Sequence, residues 1–126
     1  MREHTIAVVD DDPSVRKALA RLLSVVGHRP VLFASAAEFL STAATTEATC
    51  VLIDINLGDT LGLDLARELS AAGFKFPIIF MSSSDDDKVR EQCLDFGCVA
   101  YLRKPFPEAR LFEAIANAAA SDLQLA

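Results

Sequence analysis

Asp10, Asp11, Asp54, Ser82 and Lys104 are the residues on which chemistry could be built. Each lies at or just beyond the end of a short apolar run. Carboxylates crowded together repel one another and raise each other's pKa. A hard dication resolves that conflict, and Mg2+ takes a few oxygen ligands while leaving room for a phosphoryl oxygen. An aspartate carboxylate can also act as a nucleophile and form an aspartyl phosphate. The transition state of such a transfer is stabilised by position and positive charge, which a metal and a lysine supply. Asp54 is the most telling of the set. It lies between Ile53 and Ile55 in the most apolar segment of the chain, where a charge is costly unless paired or hydrated. Lys104 is followed by Pro105, and a proline after a strand can fix a tight turn in cis and aim its neighbour.

Plainer roles compete for some of these residues. Asp12 directly precedes Pro13 and reads as a helix cap. Ser82 could simply open the polar turn Ser82-Ser83-Ser84. Asp85, Asp86 and Asp87 suit the first turn of a helix, where negative charge is favourable.

The elements that must position these groups follow from the apolar pattern. Ile6–Val9, Val31–Ala34, Cys50–Ile55, Pro77–Met81 and Cys98–Leu102 are rich in β-branched or aromatic residues and read as buried strands. Between them the periodicity is helical. Pro13–Val26 carries Val15, Ala18, Leu19, Leu22, Leu23 and Val26 as one stripe and stops at Gly27. Ser35-Ala36-Ala37-Glu38 is a capping-box pattern opening a second helix. A third is expected from Leu63 to Ala72 and a fourth from the Ser84-Asp85 step to just before Gly97. A fifth opens at Pro107, with Leu111, Phe112 and Ile115 on one face. Strands alternating with helices imply an α/β fold with a parallel sheet covered on both faces. In such sheets ligands bind beyond the carboxyl ends of the strands, where the five chemical residues would converge.

Composition narrows the class. The chain has 126 residues, 52% hydrophobic and 24% charged, enough apolar material for one core. No run is long enough to span a bilayer, and the N-terminal apolar run is too short for a signal peptide. The net charge of −6 argues against a nucleic-acid-binding surface. Cys50, Cys93 and Cys98 form no CxxC pair and read as buried reduced thiols. A cytoplasmic location is the expectation.

With these residues in view, the chain resembles the receiver domain of two-component response regulators. The resemblance rests on Val8-Val9-Asp10-Asp11-Asp12, Leu52-Ile53-Asp54, Met81-Ser82 and Lys104-Pro105-Phe106, in that order and spacing. Asp10-Asp11-Asp12, Phe33-Ala34-Ser35-Ala36 and Lys104-Pro105-Phe106 are most similar to the FixJ-like subgroup. The resemblance implies a flavodoxin-like (βα)5 three-layer sandwich. The strand order 2-1-3-4-5 is carried over from that family and is not read from the sequence. The receiver domain is expected over residues 4–120, with 121–126 a tail or the start of a linker.

Roles are implied residue by residue. Asp54 accepts a phosphoryl group from a phosphohistidine on a partner histidine kinase. Asp11 binds Mg2+ directly, with Mn2+ as the alternative ion, and Asp10 helps through a coordinated water. Asn56 offers its main-chain carbonyl to the metal. Lys104 pairs with the phosphoryl oxygens, Ser82 hydrogen-bonds the phosphoryl group, and Tyr101 is the aromatic switch. Read from residue type alone, Tyr101 would be an edge aromatic with its hydroxyl in water. The implied protein is a signalling switch that gains and loses phosphate at Asp54 without independent turnover. Its output surface, built from the fourth helix, fifth strand and fifth helix, serves self-dimerisation or a C-terminal DNA-binding output domain outside this chain. Neither membrane contact nor direct nucleic-acid binding is expected.

One departure stands out. Gly58-Asp59 occupies positions where the family commonly has Pro-Gly, while Gly62 is retained. A more flexible or differently set loop is expected there. Three other readings fit the residues less well. A haloacid-dehalogenase-like phosphatase would place its nucleophile after the first strand in an Asp-x-Asp pattern. A phosphorylation-independent interaction module would not need the intact acidic set. A flavin binder would not place aspartates where a flavin phosphate must sit.

Overall fold

Runs that are apolar at every position, with no in-out alternation, form strands buried on both faces. β1 (Thr5–Val9), β3 (Cys50–Asp54) and β4 (Ile78–Ser82) are such strands in the computed structural model, which describes residues 3–125 and side chains as far as Ala120. β2 (Arg29–Phe33) and β5 (Ala100–Arg103) lie at the edges. All pairs are parallel, and the order is β2-β1-β3-β4-β5, as the resemblance implied.

Alternate residues of each strand feed opposite cores. Ala7, Val9, Val51, Ile53 and Phe80 face one layer, which holds Phe39 of α2 (Ala36–Thr42), Leu65 and Leu69 of α3 (Gly62–Ala71) and Cys93 of α4 (Asp87–Phe96). Ile6, Val8, Leu52, Ile79 and Met81 face the other, with Leu19 and Leu23 of α1 (Pro13–Val25) and Leu111 and Ile115 of α5 (Glu108–Leu125). Each fully buried Leu, Ile or Phe contributes about 1.5–3 kcal/mol. This double core holds β1, β3 and β4 rigid, so their last residues are delivered to one rim in register: Val9 opposite Ile53, and Asp54 opposite Met81.

The ends of several elements depart from expectation. β2 begins at Arg29, two residues earlier than its apolar run, because the Arg29 N–H bonds His4 O at 2.9 Å. Pro30 is tolerated because β2 is an edge. β5 spans Ala100–Arg103, so Cys98 and Val99 lie before it. β4 starts after Pro77, whose carbonyl accepts the Val51 N–H at 3.0 Å. α4 starts at Asp87, not at the Ser84-Asp85 step, because Asp86 is the residue whose carboxylate caps Lys88 and Val89. α3 and α5 also shift by one residue at their starts, to Gly62 and Glu108. α5 continues as helix to Leu125, through most of the segment read as a tail; Ala126 lies outside the described residues.

Caps mostly form as expected. Asp12 Oδ1 accepts the Ser14 N–H at 2.8 Å at the start of α1. Ser35 Oγ accepts the Glu38 N–H at 3.1 Å, but the returning Glu38 carboxylate takes the N–H of Ala34, one residue before the cap. Ala18 is exposed and leaves the α1 stripe, and Phe112 is half-buried. Cys50 and Cys93 are buried, whereas Cys98 is only partly so, and all are free thiols. Among the described residues, no helix is long and apolar enough to cross a membrane.

Candidate functional site

Asp10 follows β1 and is wholly buried, with every polar group paired. Its N–H extends the sheet to Phe33 O at 3.1 Å. Its Oδ1 accepts the Asp12 N–H at 2.9 Å, and its Oδ2 accepts from Lys104 Nζ at 3.0 Å. Its carbonyl accepts from Arg16 Nη1 at 2.7 Å. Asp54, the last residue of β3, is 8% exposed. Its Oδ2 lies 3.3 Å from the same Lys104 Nζ, and its Oδ1 accepts the Asn56 N–H at 3.3 Å. Asp11 is exposed. Asp10, Asp11 and Asp54 can each offer one carboxylate oxygen, and these all lie within 4.8 Å of one another.

The electrostatics follow from this crowding. Burial pushes the Asp54 carboxyl above its ordinary range, and the Asp10 carboxylate adds to the push. Lys104 and the Asn56 N–H oppose it without cancelling it. Burial alone would lower Lys104, but its hydrogen bond to Asp10 and the fields of Asp54 and Asp10 outweigh burial and raise it. The lysine therefore stays an ammonium at neutral pH. The Lys104–Pro105 peptide bond is cis, as the sequence suggested.

These oxygens fit a hard divalent ion. Three carboxylates converge with one cation between two of them. An isolated antiparallel bridge pairs Asn56 with Leu61. Its hydrogen bonds use Ile55 O and Leu57 N, so Asn56's own carbonyl is left out of the bridge.

The loop after β3 is closely held. Leu57 N donates to Thr60 O at 2.9 Å, Gly62 N to Ile55 O at 2.7 Å, and Gly58 N to Asn56 Oδ1 at 3.3 Å. Leu57 is buried in the core. Gly58 adopts φ +81, a conformation glycine allows and L side chains rarely take. The Gly58-Asp59 turn is closed by the loop's own hydrogen bonds.

Among the described residues, neither Ser82 nor Tyr101 hydrogen-bonds the carboxylates. Ser82 is the last residue of β4 and 2% exposed. Its Oγ accepts the Ser84 N–H at 3.0 Å; Ser84 Oγ accepts the Asp86 N–H at 3.1 Å; Asp86 Oδ1 caps Lys88 N at 3.0 Å. A ladder of side-chain turns thus runs from Ser82 to the first turn of α4. Asp85, in the same loop, pairs with Arg103 on β5. Tyr101 packs against the core layer of α2–α4, and its hydroxyl is buried without a partner among the described residues. The hydroxyl is therefore not in water, contrary to the simple reading from residue type. Arg16 and the Ser84–Asp86 rungs went unnoticed in the sequence. The one signal for Arg16 was its place one turn after the Asp12 cap.

The chain matches the family model of the response regulator receiver domain over residues 6–116. It is a response regulator receiver domain. The transcriptional regulatory protein TdiR of Thauera aromatica is 35% identical over 97% of this chain and 54% of that protein. The transcriptional regulatory protein FixJ of Azorhizobium caulinodans is 32% identical over 87% of this chain and 52% of that protein. This receiver domain thus spans about half the length of the curated relatives it matches. Among solved structures, the crystal structure of FixJ-N superposes with a TM-score of 0.87 at 30% identity, covering 94% of each chain. The likeness to the FixJ group and the strand order both agree with the sequence reading.

Proposed function

We propose that this receiver domain, spanning residues 4–120, is a cytoplasmic phosphoacceptor switch that takes a phosphoryl group onto Asp54 from the phosphohistidine of a histidine kinase. The observation that carries this reading is the Lys104 ammonium, bonded to Asp10 at 3.0 Å and Asp54 at 3.3 Å beside the converged carboxylates. An Asp54 oxygen bonds to phosphorus as the donor's P–N bond breaks, and the leaving imidazole takes a proton from water. Lys104 is placed to exchange its carboxylate partner for a phosphoryl oxygen. Asp10, Asp11, Asp54 and the Asn56 carbonyl are the groups that would hold Mg2+, or Mn2+, whose charge offsets that of the phosphoryl oxygens.

Phosphorylation replaces the single carboxylate charge of Asp54 with a phosphoryl group carrying up to about two. Ser82 then gives up the Ser84 N–H for the phosphoryl group, which releases the first rung of the ladder to α4. Tyr101, whose hydroxyl lacks a partner, settles into the new arrangement. The surface of α4, β5 and α5 changes its preference for a second copy or for a DNA-binding output domain, a population shift between two states. Transcription is the output suggested by the names of the relatives.

The test is incubation with acetyl phosphate or carbamoyl phosphate and Mg2+, or with beryllofluoride and Mg2+. Label or analogue at Asp54, absent in Asp54→Asn, is the expected result. Wild-type protein that takes up neither would overturn the reading.

A further inference from the structure

We propose that Arg16 is a positioning residue that sets Asp11 in place for a divalent ion. The proposal rests on the reading above that Asp10 and Asp11 hold that ion. The carbonyl that Arg16 grips at 2.7 Å belongs to the peptide joining Asp10 to Asp11. On the Asp10 side nothing can turn, because its N–H, both carboxylate oxygens and its carbonyl are all engaged. Asp11 is exposed, and neither a hydrogen bond nor an ion pair holds its carboxylate among the described residues. The peptide plane before it sets where that side chain starts, and Arg16 holds that plane by its carbonyl.

Arg16 is well placed to do this. It is half-buried in the first turns of α1, and its own N–H bonds Asp12 O at 3.0 Å. The helix that Asp12 caps thus returns a guanidinium to the carbonyl two residues before the cap. Holding a ligand's backbone in this way is the kind of outer contact whose loss costs about tenfold or more in metal affinity.

A bystander cation would act in the opposite direction. Arg16 is a positive charge beside an acidic cluster, so by Coulomb's law alone its removal should tighten binding of a dication. Positioning predicts weaker binding, and the sign separates the two.

The experiment is a calorimetric Mg2+ titration of wild type, Arg16→Met, Arg16→Lys and Asp11→Asn, with amide exchange followed at Asp11. Methionine keeps an unbranched stem and removes the donors; lysine keeps both charge and a donor. The expected result is about tenfold weaker Mg2+ binding for Arg16→Met, faster exchange at Asp11, and near wild-type behaviour for Arg16→Lys. Arg16→Met binding as tightly as wild type or tighter, with Asp11→Asn weakened, overturns the Arg16 role and leaves the metal site standing. Asp11→Asn binding undiminished overturns the metal-ligand reading and the Arg16 role with it.

Discussion

Gly62 passes so close to Asp54 that a β-carbon there would lie 2.3 Å from the Asp54 carbonyl oxygen and 2.7 Å from Ile53 Cγ2. Its backbone φ is ordinary, so the constraint is space and not conformation. The first residue of α3 is thereby pressed against the main chain of Asp54, and any side chain must displace one of them. Gly62→Ala is expected to destabilise the fold by about 1–3 kcal/mol. Urea denaturation measures the loss, and acetyl-phosphate labelling should slow in the same variant. An unchanged midpoint would mean that the loop yields freely.

Removing the Asp54 charge should have the opposite effect on stability. Asp54 is buried beside Asp10, and both burial and that neighbour disfavour its ionised form. Asp54→Asn keeps the shape and drops the charge, so in EDTA it should unfold at higher urea than wild type. Added Mg2+ should narrow the gap, because it binds the wild-type fold more tightly. A variant less stable than wild type in EDTA would contradict this.

The ladder from Ser82 makes a local prediction. Ser84→Ala removes the acceptor for the Asp86 N–H, and Asp86→Ala removes the cap itself. The cap variant should cost about 1 kcal/mol. In both, the amides of Lys88 and Val89 should exchange faster while α1 exchanges as before. If α4 exchange is unaffected in Ser84→Ala, the rungs do not communicate.

His28 gives the fold a pH dependence far from the carboxylates. It is 8% exposed, and its Nδ1 accepts the His4 N–H at 3.2 Å. Burial lowers its pKa below the ordinary 6.5, His4 lowers it further, and Glu3 opposes weakly. The unfolded chain therefore binds the proton first. The contribution is complete above about pH 6.5 and is lost as pH falls through the lowered folded value. His28→Gln does not titrate, so wild type should lose more stability than this variant between about pH 7.5 and about pH 5.5. Equal losses in the urea midpoint would refute the assignment.

How much of this was legible in the sequence varied with burial. β1, β3 and β4 are covered on both faces, so their apolar runs marked them closely and their carboxyl ends pointed to Asp10, Asp54 and Ser82. The edge strands were misplaced by up to two residues, because Arg29 joins the sheet through its backbone and Arg103 lies beyond the apolar run. α4 began late because Ser84, Asp85 and Asp86 can all cap a helix, and only the folded loop selects Asp86. Lys104 was readable from its place after the fifth strand. Arg16 was not, because it acts on a main-chain carbonyl, and no residue pattern records where a carbonyl points. The tight approach of Gly62 was hidden for the same reason.

Pro30 has a consequence for how copies of this domain can meet. Arg29 N bonds His4 O and Phe33 O receives Asp10 N, so by alternation Arg29, Val31 and Phe33 face β1. Pro30 and Leu32 face outward, and proline has no N–H to offer. A foreign strand approaching this edge would find a single donor, at Leu32, across the length of β2. The sheet is thus blunted against edge-to-edge aggregation on this side, and association between copies is turned toward other surfaces, such as that of α4, β5 and α5.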